Sequence, residues 1–366
     1  MMNSRFQIAV LLVGALLLSQ PTHAQEQVAT EDQAVEPLKK KKPGRLYRSD
    51  DILTLEILAP FSDIFSKRGE DRPEFPAKLI LVEGELRTEF DITLKLRGNS
   101  RAQRGTCNFP PLRVRFDKEQ TKDTIFHKQG SVKLGTHCKT RNSRYVQNTL
   151  TEYFLYRVFN IVTEESFRVR LADIKYFNED GSKLRTEAYG FFIERPKRAA
   201  ERLGMERVRQ PIINVNDVDP VAASRNALFQ FMIGNLDWSV LAAQEGEDCC
   251  HNYKPLRTPG EPVTPIPYDF DQSGAVDAEY ASSYMSFKLR SARSRLWRGF
   301  CLHNAEVAPR ISEFQAKRAE IETLYKTIPV VNESRYKRLM SYFDDFYEII
   351  GNPKEVQKQI MDKCRT

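Results

Sequence analysis

Asp269 and Asp271 stand one residue apart in PIPYDFDQSG (265–274), at the end of an apolar run and just before Ser273 and Gly274. Carboxylates so spaced can grip a divalent cation, and two chemistries use such a grip. With AVDAEYA behind it, the stretch nearly fills a twelve-residue calcium loop: Asp269 is first, Asp271 third, Ser273 fifth, Gly274 sixth and Asp277 ninth. The twelfth position, which should supply a bidentate Glu, is Tyr280, and Glu279 falls one residue early. The prolines of PVTPIPY also bar an EF-hand helix ahead of the loop. The other chemistry is phosphoryl transfer. Asp237 in IGNLDWS, Asn252 in HNYKPL and then Asp269 follow in the order proton acceptor, metal ligand, metal ligand. Hard magnesium prefers oxygen donors, and the base that takes a hydroxyl's proton must sit apart from the metal clasp. Asp271 then assists the metal or braces its loop.

Phosphates also need a cradle. LKLRGNSRAQRG (94–105) places Arg97, Gly98, Asn99 and Ser100 directly after a predicted strand, and the next strand carries Arg113 and Arg115 at period two, on one face. Backbone donors freed by glycine, joined by arginine forks, suit phosphate oxygens. A β-turn followed by a charged outer strand face would read the same way. Cys249-Cys250-His251 invites a zinc site, but adjacent cysteines rarely ligate together, and in an exported chain disulfide pairing accounts for them better. His251 is then free to orient its loop.

Taken in order, LRGNS, PPLRVRF, YGFFIERPKR, GNLDWS, HNYK and PYDFDQSG resemble the CotH family, atypical kinases first known from spore coats, over about residues 90–280. The resemblance implies transfer of the γ-phosphate of ATP to protein hydroxyls with Mg2+ or Mn2+. It implies Asp237 as the catalytic Asp, Asn252 and Asp269 as metal ligands with Asp271 beside them, and Arg97 as the arginine of RGNS. Glu194 stands where the family's strand commonly ends in Glu and is grouped with the nucleotide cradle. Two segments depart from the family pattern. PPLRVRF lacks the lysine-rich start common there, and SVLAAQEGEDCCH is a long insertion between Asp237 and Asn252, either a substrate-gripping loop or the mark of a site without chemistry.

Alternating or apolar runs at 52–58, 77–83, 90–98, 112–116, 131–135, 167–177 and 187–194 predict strands, with a helix over 145–162 between them. After residue 200 the pattern turns helical; Asp219-Pro220 opens a helix that Gly234-Asn235 closes. The expected fold class is α+β, a two-lobed atypical protein-kinase-like fold with a β-rich N-terminal lobe (49–200) holding the cradle and a helical C-terminal lobe (201–366) holding the catalytic and metal residues. Ahead of them, Arg5, the apolar run to Leu18 and Thr22-His23-Ala24 predict a signal peptide over 1–24, and the polar stretch 25–48 a flexible linker. Losing Arg5 takes the formal charge from +7 to +6, a mild excess that calls for no nucleic-acid partner. Six cysteines in an exported chain predict disulfides. Cys107 and Cys138 flank adjacent predicted strands, and Cys301 and Cys364 bracket the C-terminal helices, so these pairs are preferred.

The expectation is thus an exported protein, periplasmic or secreted, with no integral membrane segment after cleavage, acting on a protein substrate at the envelope or outside the cell. The alternative is a catalytically silent kinase-like binding or assembly protein, stabilised or not by calcium.

Overall fold

A computed structural model describes residues 38–243 and 247–366. The expected signal segment and the first part of the expected linker lie outside these residues. The end of that linker packs onto the protein: Lys41 N donates to Glu201 O (3.0 Å), and Leu46 and Tyr47 are buried.

Seven strands form a closed barrel: β1 (Leu53–Leu58), β2 (Phe75–Glu83), β3 (Leu86–Leu96), β4 (Leu112–Phe116), β5 (Ser131–Gly135), β6 (Val169–Phe177) and β7 (Leu184–Ile193), in the order β1-β2-β3-β4-β5-β7-β6. All neighbours are antiparallel except the closing seam, where β1 runs parallel to β6 from Leu53↔Ala172 to Leu58↔Phe177. Closure corrects the expected two-lobed kinase-like architecture with its separate sheet-rich lobe. The strands occupy the segments that alternation marked, but alternation reports only that each has one buried face. It does not report that strands more than a hundred residues apart pair, leaving the sheet no open edge. The inward residues, among them Leu55, Leu79, Phe90, Leu94, Val114, Leu134 and Phe192, fill the barrel with one apolar cluster.

Outside it lies a second core built on helices: α2 (Ser143–Val162), α4 (Pro220–Ile233), α5 (Val307–Tyr325) and α6 (Glu333–Gly351), with the short helices α1 (Phe61–Ser66), α3 (Pro196–Leu203) and α7 (Pro353–Gln359) at other points in the chain. Asn142 caps α2 by accepting from Arg144 N (3.1 Å), and most of the helix is buried, the polar Gln147, Asn148, Thr151 and Glu152 with its aromatic and aliphatic residues. Asp219 caps α4 by accepting from Ala222 N (2.6 Å). Gly234 ends α4 at φ +62°, where a Cβ would strike the Tyr342 hydroxyl, so only glycine turns the chain here toward Asn235–Asp237. A small sheet, β8 (Glu206–Arg207), β9 (Tyr253–Arg257) and β10 (Thr264–Pro267), in the order β10-β9-β8, carries Asn252 and Asp269 at its ends. Among the described residues no helix is long and apolar enough to cross a membrane.

Cys107 pairs with Cys138 and Cys301 with Cys364, the two preferred pairs, and Cys249 pairs with its neighbour Cys250. The Cys301–Cys364 bond ties residues 63 apart and anchors the C-terminus beside α5. Replacing both cysteines by alanine is expected to lower the unfolding free energy by about 2–4 kcal/mol, chiefly by freeing that long loop in the unfolded chain. Urea titration of the double variant checks this, and an unchanged midpoint would refute it.

Candidate functional site

Where β3, β4 and β5 end against β9 and β10, a cleft of about 690 Å3 opens. Of the eleven residues singled out from sequence, nine line it: Arg97 through Ser100, Arg113, Asp237, Asn252, Asp269 and Asp271. They arrive from segments far apart in the chain, which the barrel and the small sheet bring face to face.

One wall is cationic. Arg97 leaves β3 with its N–H donating to Pro111 O (2.9 Å), and Gly98 then turns the chain at φ +96°, a conformation open to glycine and strained for other residues. On β4, Leu112, Val114 and Phe116 point into the barrel and Arg113 and Arg115 point out. Two residues advance a strand by about 7 Å, so the two arginines part company. Arg113 reaches the cleft, while Arg115 is exposed and pairs with Glu74 (2.8 Å). Directly across from Arg113 on β5 is Lys133, absent from the sequence-based set. Like charges opposite each other on antiparallel strands repel, yet both side chains are partly buried. Burial, then the Arg97 charge, holds the Lys133 ammonium well below its ordinary range despite Asp269; burial and neighbouring arginines also lower Arg113. Lys133 and Lys254 lie over the ring of Tyr268, 4.1 and 5.1 Å from its centroid.

The other wall is acidic. Asn235 Oδ1 accepts from Asp237 N (3.0 Å), fixing the turn after α4. Asp237 accepts from His251 Nε2 at Oδ1 (2.8 Å) and from Asn252 Nδ2 at Oδ2 (3.0 Å), and the same Asn252 nitrogen donates to the Asp237 carbonyl (2.6 Å). The hydrogen bond to Asp237 raises the His251 pKa, against burial. The insertion therefore has a positional effect: it returns through paired backbone at Ser239 and Ala242 and sets His251 on Asp237. Asn252 and Asp269 both adopt left-handed backbone, φ +53° and +65°.

Arg101, also missed from sequence, organises the acids. Buried between them, its guanidinium meets Glu152 Oε2 (3.3 Å), Asp269 Oδ1 (3.1 Å) and Asp271 Oδ2 (3.1 Å). One cation cannot balance three carboxylates, two of them, Glu152 and Asp271, buried. Burial pushes Glu152 up to about 8 despite Arg101, and burial with the neighbouring aspartates lifts Asp271 to about 6. For Asp269 burial is outweighed by Arg101, Arg97 and Lys133, and its carboxyl is lowered. Asp269 is thus the ionised member of the group.

Glu194 stays outside the cleft. At the end of β7 it takes Arg202 Nη2 (3.0 Å) and Arg168 N (3.1 Å), locking β7 to α3 at the rim of an adjoining cavity of about 360 Å3. The calcium-loop acids do not converge: Asp277 and Glu279 turn to Arg335 (2.8 and 2.9 Å). The Cys249–Cys250 bond removes both thiolates from a zinc site.

Among the described residues no three His, Cys, Asp or Glu side chains gather as a metal cage. The donors present are Asp269 and the amide oxygen of Asn252, which has no hydrogen-bond donor among the described residues, with Asp271 behind them on Arg101. Such a sparse oxygen set fits a Mg2+ or Mn2+ ion that arrives on phosphates and keeps much of its own hydration. Lys133 was legible in SVKLG as the outward residue of an apolar strand; nothing in the local sequence marked Arg101 or Glu152. No family model matches the chain, and no characterised protein matches it in sequence.

Proposed function

We propose that the cleft transfers the γ-phosphate of ATP to a protein hydroxyl with Mg2+ or Mn2+, in an exported protein acting at the envelope or beyond it. This keeps the activity implied by the resemblance to CotH kinases, on a closed barrel. The observation that carries the reading is the pair Arg113 and Lys133, like charges side by side with Arg97 close enough to perturb both, facing Asp237, Asn252 and Asp269 across one cleft. Repelling cations held partly buried make sense where a polyanion joins them.

In this reading Arg97, Arg113 and Lys133 hold phosphate oxygens, and the adjoining cavity, with Phe167 and Tyr268 in its wall, offers room for the nucleoside. Asp269 and Asn252 would hold the metal, which supplies charge neutralisation of the phosphates. Asp237, aimed by His251 and Asn252, accepts the hydroxyl's proton as its oxygen attacks phosphorus and ADP leaves. A second reading, nucleotide binding without turnover, draws on Arg101, which already occupies Asp269 and Asp271.

Purified protein incubated with γ-labelled ATP, Mg2+ or Mn2+ and a generic protein acceptor is expected to label the acceptor or itself. Nucleotide binding without ADP release or label would select the second reading; neither binding nor release would end both. Arg97→Ala and Arg113→Ala are each expected to weaken ATP binding roughly ten- to hundredfold, the scale of one charge-assisted contact. Unchanged affinity in both would return them to a solvated strand face.

A further inference from the structure

The turn after the acidic wall carries serines that no step above uses. Residues Ser283–Phe287 form a short 3-10 helix, in which positions three apart lie on the same face, so Ser283 and Ser286 stand together. Both line the cleft that holds Asp237 and Arg97. Neither hydroxyl has a hydrogen-bond partner among the described residues, whereas the segment itself is tied down at both ends. At its start, Ser282 N donates to Gln272 Oε1 (2.9 Å), and Gln272 directly follows Asp271. At its end, the Arg298 guanidinium lies against Phe287 and Trp238 (4.8 and 4.5 Å) and donates to the carbonyls of Leu236 and Trp238 (2.7 Å each), the residues on either side of Asp237. One arginine thus couples the serine turn to the loop of the proton acceptor.

We propose that Ser283 and Ser286 are phosphate acceptors in cis, modified by the cleft they border. The inference rests on the phosphotransfer reading. The serine Oγ forms a bond to the γ-phosphorus, the bond from that phosphorus to the β–γ bridging oxygen breaks, its electron pair leaves with ADP, and the serine proton passes to the Asp237 carboxylate and on to solvent. An acceptor held in place needs no encounter with a second molecule.

The experiment uses the full chain, treated with phosphatase and repurified, then incubated with Mn2+ and ATP over a dilution series. ADP release and phosphopeptide mapping are followed together. The expected result is phosphate on Ser283 or Ser286, at a rate per molecule unchanged by dilution, lost in the Ser283→Ala/Ser286→Ala variant and regained with threonine at both positions. ADP release with phosphate elsewhere, or with no phosphate on the chain, overturns the inference and leaves the phosphotransfer reading standing. A rate per molecule that falls in proportion to dilution overturns the cis step. No ADP release with any acceptor overturns the reading and the inference with it.

Discussion

Replacing Arg101 by methionine is expected to lower the unfolding free energy by about 3–5 kcal/mol at neutral pH, the usual scale for stripping a buried ion cluster of its countercharge. Methionine keeps much of the length of the side chain, so the loss reports charge rather than a cavity. Glu152 and Asp271 would remain buried with no cation bonded to them, while Asp269 keeps Arg97 and Lys133 nearby. The effect must depend on pH, and its sign follows from the shifts. Glu152 titrates at about 8 and Asp271 at about 6 in the folded protein, above the value of about 4 for such groups in an unfolded chain. Between those values the folded state binds more protons than the unfolded state, so these two groups favour folding at low pH and oppose it as pH rises. Without Arg101 both shift further up, and the opposition deepens. The difference between variant and wild type should therefore be smaller near pH 5, where the ionised Asp269 is the main group to lose its partner, and larger near pH 8, where Asp271 and part of Glu152 are ionised as well. Urea unfolding at both values measures it; a difference that is equal at the two, or larger at pH 5, would show that Arg101 is not the countercharge of this cluster.

Asp237→Ala and Asp269→Ala should fail in different ways. Asp237→Ala removes only the proton acceptor, so metal-dependent ATP binding should persist while transfer falls by about 10²–10⁴-fold, the usual worth of a positioned general base. His251, partly exposed, can find water in its place. Asp269→Ala removes the one cleft carboxylate that three cations keep ionised, so ATP binding should lose its dependence on Mg2+ or Mn2+ and transfer should stop. Calorimetric titration of ATP with and without metal, beside a transfer assay, separates the two. If Asp237→Ala transferred at the wild-type rate, the carboxylate held by His251 and Asn252 would have no part in the chemistry. If Asp269→Ala kept metal-dependent binding, the clasp would lie elsewhere.

The two outlying residues, Arg115 and Glu194, show the limit of local pattern. Period two correctly put Arg113 and Arg115 on one face, but whether a residue on that face meets the cleft depends on how far along the strand the cleft reaches. Glu194, grouped with the nucleotide cradle by resemblance rather than by pattern, borders the adjoining cavity instead of the cleft, with its carboxylate taken up by Arg202 and Arg168.

By itself the sequence determined the seven barrel strands and the helices α2 and α4, though not the short α1, α3 and α7 or the two-residue β8, because burial of one face every two residues, or of a whole helix, is written in neighbouring positions. It also marked Asp237, Asn252, Asp269 and the RGNS turn, because glycine and the short polar residues carry their chemistry in their types. The preferred disulfides Cys107–Cys138 and Cys301–Cys364 followed from which elements each pair brackets. Only the tertiary structure decided barrel closure, since the parallel pairing of Leu53–Leu58 with Ala172–Phe177 is a contact across more than a hundred residues with no local mark. It alone decided the electrostatics of the site. Arg101 is one of several arginines in its segment, and Glu152 looks like one more polar residue on a helix. Their charges acquire consequence only when folding removes the water between them and leaves one guanidinium among three carboxylates.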